Sequence, residues 1–189
     1  MRLYRRQQFL QQYGISCNEH ILISVGELNK NKNHETIIRA IAKLKNPAIH
    51  YFIAGQGGLR EYLEHLAEEL GVSKQVHLLG YRNDVVELLR IADVYVLPSH
   101  REGLNVSLME AIASKTSVIC SKIRGNTDLV KRKGYLFKAS DVEHLAICIK
   151  NALENDNTSV EDEQYRNLKK YDSRNVGQIM WKLYGDMCG

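Results

Sequence analysis

Residues 94–121 read VYVLPSHREGLNVSLMEAIASKTSVICS, and this stretch decides the architecture. Residues 94–97 are a short apolar run, 104–114 carry apolar side chains nearly all round a helix, and 117–121 are a second apolar run. Strands without a polar face, separated by a helix, belong to a parallel sheet that is covered on both sides. Outward from there the alternation repeats. Strands are expected at 21–25, 50–54 and 76–79. Helices are expected at 34–45, with Ile37, Ile38, Ile41 and Leu44 on one stripe, at 58–70, with Leu59, Tyr62, Leu63, Leu66 and Leu70 inward, and at 84–92. Past Gly134-Tyr135-Leu136-Phe137 the pattern turns helical, at 141–154, 161–171 and 174–187 around Trp181. The first 14 residues, with Leu3, Phe9, Leu10 and Tyr13, read as an entering helix. The fold class is α/β: a Rossmann-like, doubly wound parallel sheet with helices on both faces. Residues 1–19 form a linker and entering helix, 20–155 the sheet domain, and 156–189 C-terminal helices packing back on it.

Composition narrows the function. The chain has 189 residues, 44% of them hydrophobic, enough for one good-sized core. Its 26 basic and 22 acidic side chains leave a formal charge of +4, too mild and too scattered for a nucleic-acid surface. Cys17, Cys120, Cys148 and Cys188 have no metal-type spacing and read as free thiols of a reducing compartment. No apolar run approaches the 18 or so residues of a membrane span, so a cytoplasmic location is expected, with the inner membrane face as a place where an acceptor could lie. No Asp-x-Asp or His/Asp cluster implies a divalent metal.

Glu102 and Glu110 stand eight apart across the turn that opens the 104–114 helix. That helix is apolar through Leu104, Val106, Leu108, Met109, Ala111, Ile112 and Ala113, so it belongs in an interior, and a carboxylate on it requires hydrogen-bond donors. A hydroxyl-rich ligand supplies them; an ion pair inside the core is the alternative for Glu110. The N–H groups of Gly103, Leu104, Asn105 and Val106 precede the first helical acceptors and form an anion site. Two helical turns separate the glutamates by roughly 10 Å, which is wide for the acid pair of a retaining glycosidase. Gly26, Gly55, Gly80 and Ser99 close four strands at the edge where open α/β sheets bind ligands. After Gly26 comes Glu27-Leu28-Asn29-Lys30-Asn31-Lys32-Asn33, whose lysines and asparagines suit a diphosphate, or form an exposed polar loop capped by Asn33. Gly55-Gln56-Gly57 lacks the third glycine of a dinucleotide fingerprint, since position 60 is Arg, and no Walker motif occurs. Tyr81 and Arg82 can flank a base, with Asn83 or Asp84 as a helix cap. His100 lines the cleft, while His20, His50, His65, His77 and His144 read as ordinary strand or helix residues.

Glu102-x7-Glu110 resembles the Glu-x7-Glu signature of retaining glycosyltransferases of the GT-B fold, the family-four type. The similarity continues in Val25-Gly26-Glu27-Leu28 with Lys32, Ile53-Ala54-Gly55-Gln56-Gly57, Leu79-Gly80-Tyr81, Ala92-Asp93-Val94 and Ile123-Arg124-Gly125-Asn126-Thr127-Asp128-Leu129. It covers about residues 20–150, and its wording resembles enzymes of bacterial capsule or exopolysaccharide assembly. The resemblance implies a nucleoside-diphosphate sugar as donor, a glycan or lipid-linked acceptor, and no metal or other cofactor. It assigns catalytic parts to Glu102, on the donor sugar, and Lys32, on the diphosphate. Donor binding would fall to Gly26, Glu27, Lys30, Gly55, Tyr81, Arg82, Gly103, Leu104, Asn105, Val106 and, on the ribose, Glu110. Many members carry Arg where this chain has Glu27, a contact that Lys30 would then supply. Only the C-terminal, donor-binding half of a GT-B enzyme is matched. An N-terminal Rossmann-like acceptor domain, in cis or in trans, is therefore an expected partner. A non-catalytic nucleotide-sugar sensor or partner subunit is the rival reading, and a Rossmann oxidoreductase a weaker third.

Overall fold

The computed structural model describes residues 2–131, 135–155, 165, 166 and 168. Among them, β1 (His20–Val25), β2 (Ile49–Ala54), β3 (Val76–Gly80), β4 (Val94–Leu97), β5 (Ser117–Ser121) and β6 (Leu136–Phe137) form one parallel sheet, ordered β3-β2-β1-β4-β5-β6. The helices are α1 (Arg2–Gln11), α2 (His34–Leu44), α3 (Arg60–Glu69), α4 (Val85–Ile91), α5 (Val106–Ala113), α6 (Asn126–Leu129) and α7 (Val142–Glu154). The chain winds one way from β1 to β3, then returns past β1 to β4. Right-handed crossovers therefore place α2 and α3 on one face and α4 and α5 on the other. α7 packs beside α2, and α1 lies against α4. Covered on both faces, β2, β4 and β5 are buried at every residue, which is why they read as unbroken apolar runs.

The structure corrects several sequence expectations. β6 has two residues and α6 four, too short to show any periodicity, and a 3-10 turn (Ser73–Gln75) precedes β3. α3 starts at Arg60, and Tyr62 does not point inward: it is 43% exposed, and its hydroxyl donates to Glu35 at 2.7 Å. α5 starts at Val106, and only Leu108, Ala111 and Ile112 of its apolar residues are buried. Leu104 and Val106 are 54% and 67% exposed, so this helix is not interior all round. The helices expected at 161–171 and 174–187, with Trp181, lie outside the described residues apart from helical 165, 166 and 168.

α1 is fastened to the sheet, not merely leading into it. Phe9 and Leu10 are buried, whereas Leu3 is exposed. The Arg6 guanidinium donates to both Asp93 carboxylate oxygens, at 3.0 and 2.8 Å, and to the carbonyls of Ile91 and Glu19. Nearby, His50 and His77 are more than ordinary strand residues. His50 lies 2.6 Å from Glu19 and 3.2 Å from His77, whose ring stacks on Phe52. Burial, then the neighbouring His50, lowers the His77 pKa to about 4. Among the described residues, no helix is long and apolar enough to cross a membrane.

Candidate functional site

The sheet order reverses between β1 and β4, and a crevice opens at the carboxyl ends of strands flanking such a reversal. The loops leaving β1, β2 and β3 are laced together there. Gly26 N–H donates to Ala54 O at 3.0 Å, Gly55 N–H to Gly80 O at 2.8 Å, and Leu28 N–H to Gln56 O at 2.9 Å. Gly55 has to be glycine, since a Cβ on it would sit 1.8 Å from the Gly26 carbonyl oxygen. On the other side, the β1–α2 loop is pinned to the segment after β4. His100 N–H donates to Asn31 O at 2.9 Å, and the Asn31 side chain bonds Arg101 O and Arg101 N at 3.0 and 3.1 Å. Asn33, buried and in the left-handed region at φ 54°, donates to Pro98 O at 3.2 Å and accepts from the Thr36 hydroxyl at 2.9 Å. It is thus no exposed cap, and the loop's asparagines spend their amides on the protein instead of on a diphosphate.

This lacing brings Lys32 and Glu102, 70 residues apart in sequence, to a 2.7 Å ion pair with side chains only 18% and 11% exposed. The Lys32 amide is fixed by the Asn29 side chain at 2.9 Å. Burial would push the Glu102 carboxyl up. The Lys32 ammonium, aided by the Ser99 and Asn105 side chains, outweighs that and holds it below the usual carboxylate range.

α5 begins on Asn105, whose carboxamide oxygen caps it by accepting from Leu108 N–H at 2.9 Å, and from the Ser107 hydroxyl at 2.8 Å. The N–H groups of Gly103, Leu104 and Val106 have no acceptor among the described residues and face an open turn. Beneath them, Tyr95 is buried in β4 with its hydroxyl 2.7 Å from Ser107. Burial raises its pKa first, and the charges of both Glu102 and Glu110 add to the rise, so the two carboxylates share one neighbourhood. Glu110 is half-buried without an ion-pair or hydrogen-bond partner among the described residues, so it is not the core ion pair entertained from sequence. Under the β1–α2 loop runs a buried polar chain: His34 Nδ1 meets Tyr51 Oη at 2.9 Å, Tyr51 donates to Ser24 at 2.9 Å, and Ser24 to Val96 O at 2.5 Å. Burial lowers the His34 pKa to about 4.

Other expected residues are placed apart. Tyr81 and Arg82 close β3, three strands from β4, or about 14 Å at ordinary strand spacing. Tyr81 is 77% exposed, and Arg82 is clamped by Asp84 at 2.8 and 2.5 Å. Asp84 precedes α4 but makes no side-chain cap bond. Glu27 is exposed and accepts from Asn29. Lys30 is exposed on the far side of the loop, where it lines a cavity of about 500 Å³ with Asn29, Glu35, Tyr62 and His100. That cavity touches neither Lys32 nor the two glutamates. Sequence reading missed Tyr95, Ser107 and Asn126 as parts of the site's support. The Ser/Asn richness between strands hints at Ser107 and Asn126, whereas Tyr95, inside an apolar strand, carries no such signal. Among the described residues, no cluster of three acidic, His or Cys groups suits a metal ion.

The family model described as "Glycosyl transferases group 1" matches residues 5–174. The chain is 30% identical over 169 residues to the Escherichia coli UDP-Gal:α-D-GlcNAc-diphosphoundecaprenol α-1,3-galactosyltransferase, covering 86% of this chain and 42% of that protein. It is 34% identical over 123 residues to the lipopolysaccharide glucosyltransferase WaaG of Escherichia coli K12, covering 64% of this chain and 33% of that one. The chain thus spans less than half the length of these curated relatives. Its fold matches the crystal structure of Anabaena Alr3699/HepE in complex with UDP at a TM-score of 0.78 and 22% identity, over 98% of this chain and 52% of that chain.

Proposed function

The chain belongs to the group 1 glycosyl transferases, and on that premise we propose that it is the donor-binding half of a retaining enzyme. The reaction moves a sugar from a nucleoside diphosphate to a glycan or lipid-linked acceptor. The observation that carries the reading is the Lys32–Glu102 pair set beside unsatisfied N–H groups at the start of α5. A cation and free amide donors suit a diphosphate, and an ionised, pre-aimed carboxylate suits sugar hydroxyls. Glu110, one helix face further on, is free to take ribose hydroxyls. Tyr81 and the clamped Arg82 lie at a distance from α5 that an extended nucleotide spans, and they flank the base. Relatives named for UDP-Gal and for a bound UDP support a nucleotide donor.

Catalysis here is electrostatic: Lys32 and the Gly103, Leu104 and Val106 amides stabilise charge as it gathers on the leaving diphosphate. No side chain is assigned as a covalent nucleophile and no metal ion is assigned a part. Lys30 is withdrawn from the donor, because it projects into the other cavity. A second Rossmann-like domain, in cis or in trans, completes the cleft with the acceptor site, and the reaction takes place in the cytoplasm at the inner membrane face. Calorimetry with UDP-, GDP- and ADP-sugars tests this. Glu110→Ala weakens binding of the nucleotide itself, whereas Glu102→Ala removes the preference for the sugar-bearing form. Parent-like binding by both variants overturns the assignment. A non-catalytic sensor would bind the same donors yet transfer nothing when supplied with the completing domain and acceptor.

A further inference from the structure

β5 ends at Ser121, and four residues later the chain turns sharply at Gly125 into the single-turn helix α6. Gly125 has φ 92°, in the region that favours glycine. A Cβ there would fall 2.3 Å from Gly103 O and 3.1 Å from Glu102 O. The Gly125 backbone therefore abuts two consecutive carbonyls of the turn that carries Glu102. In a trans peptide the C=O and N–H point in opposite directions. The carbonyls of Glu102 and Gly103 face Gly125, so the N–H groups of Gly103 and Leu104 face away from it. Those are amides with no acceptor among the described residues, on residues that are themselves exposed.

The next residue joins the same two segments indirectly, through Ser121. Asn126 is fully buried, and its Nδ2 donates to Ser121 O at 3.0 Å and Ser121 Oγ at 3.2 Å. Ser121 Oγ in turn donates to Ser99 O at 2.6 Å, three residues before Glu102. Asn126 Oδ1 has no partner among the described residues. Burying an unsatisfied amide oxygen is costly, and packing alone gives no reason to carry it. The amide is kept for its donor end, which holds the ends of β4 and β5 in register beneath the turn.

We infer that Gly125 and Asn126 are positioning residues for the anion site: they form an elbow that aims the Gly103 and Leu104 amides at the donor's diphosphate. This rests on the donor reading above. It adds that the aim comes from a segment of the chain that touches no ligand. Ser121 is the intermediate link. Phosphate recognition therefore depends on β5–α6, whereas recognition of the base, at the β3 end, does not.

The test uses the 189-residue chain and two probes: whichever of UDP, GDP and ADP the parent binds tightest, and the matching nucleoside, measured by calorimetry and by competition. Gly125→Ala is expected to raise the diphosphate's Kd about tenfold, a 1.4 kcal/mol loss, with the nucleoside's Kd unchanged. Ser121→Ala leaves the backbone conformation unconstrained by a new side chain and is expected to raise only the diphosphate's Kd, by about threefold. It carries the test if Gly125→Ala fails to fold. Equal weakening of both probes, or of neither, overturns the positioning role while leaving the donor reading intact. A parent that binds none of the three diphosphates overturns the donor reading itself.

Discussion

Two loops face each other across the β1–β4 pair, and they treat their polar groups in opposite ways. The β1–α2 loop spends nearly everything on the protein: Asn29 on Lys32 N and Glu27, Asn31 on the 100–101 backbone, Asn33 on Pro98 and Thr36. The turn after β4 leaves the amides of Gly103, Leu104 and Val106 without acceptors and Glu110 without a partner among the described residues. They meet at the Lys32–Glu102 pair. The difference teaches which loop is scaffold and which is receptor. A charged, asparagine-rich sequence looks like the ligand site, yet the glycine-and-leucine turn is the one with unspent hydrogen-bonding capacity.

The strongest way to break this contrast is to unlace the scaffold. Asn33→Ala puts at φ 54° a residue that tolerates the left-handed region less well than asparagine, costing about 1 kcal/mol, and removes two hydrogen bonds at about 1 kcal/mol each. Urea unfolding should therefore show a loss of about 3 kcal/mol, and nucleotide affinity should fall with it. A stability unchanged from the parent would mean the loop is not held by its asparagines.

Acidification attacks the same loop from below. His34, buried beneath it, has a folded pKa lowered to about 4 against an ordinary 6.5. As pH falls below 6.5 the unfolded chain takes up a proton that the folded chain refuses. The stabilisation is complete above 6.5 and is lost as pH drops towards 4, by about 2 kcal/mol at pH 5. His77 acts in the same direction. Melting curves from pH 7.5 to 5 check this, and a His34→Gln variant should show a flatter dependence than the parent.

Swapping the two lysines sharpens the contrast at the smallest scale. Lys32→Met removes the cation at the meeting point and should weaken nucleoside-diphosphate binding about tenfold, measured by calorimetry. Lys30→Ala, two residues away but facing the other cavity, should change neither affinity nor stability by more than about 0.5 kcal/mol. Equal effects from both would erase the distinction between the two sides of this loop.

Much of the fold was legible from residue pattern. β4 and β5 fall where the apolar runs put them, and β1 and β2 are each one residue longer, because strands covered on both faces are mostly apolar along their length. The misses have physical causes. β6 and α6 contain too few residues to repeat anything. Tyr62 looked inward by spacing alone, but its hydroxyl is drawn to Glu35. The apolar start of α5 looked like core, yet Leu104 and Val106 stand at a cleft. At the site, Glu102 and Lys32 were named together through a family resemblance, whereas their pairing is a tertiary fact that no local window contains. The Gly125–Gly103 contact is of the same kind, between residues 22 apart in sequence with a helix and a strand between them.

The buried Tyr51–Ser24–Val96 chain crosses three adjacent strands directly under the crevice. A floor braced in that way is insulated from changes at the rim, where Tyr81, Leu104 and Val106 stand in solvent. Combinatorial libraries restricted to those three positions should yield well-expressed proteins whose ligand preferences diverge, so that evolvability in this chain resides at its edge.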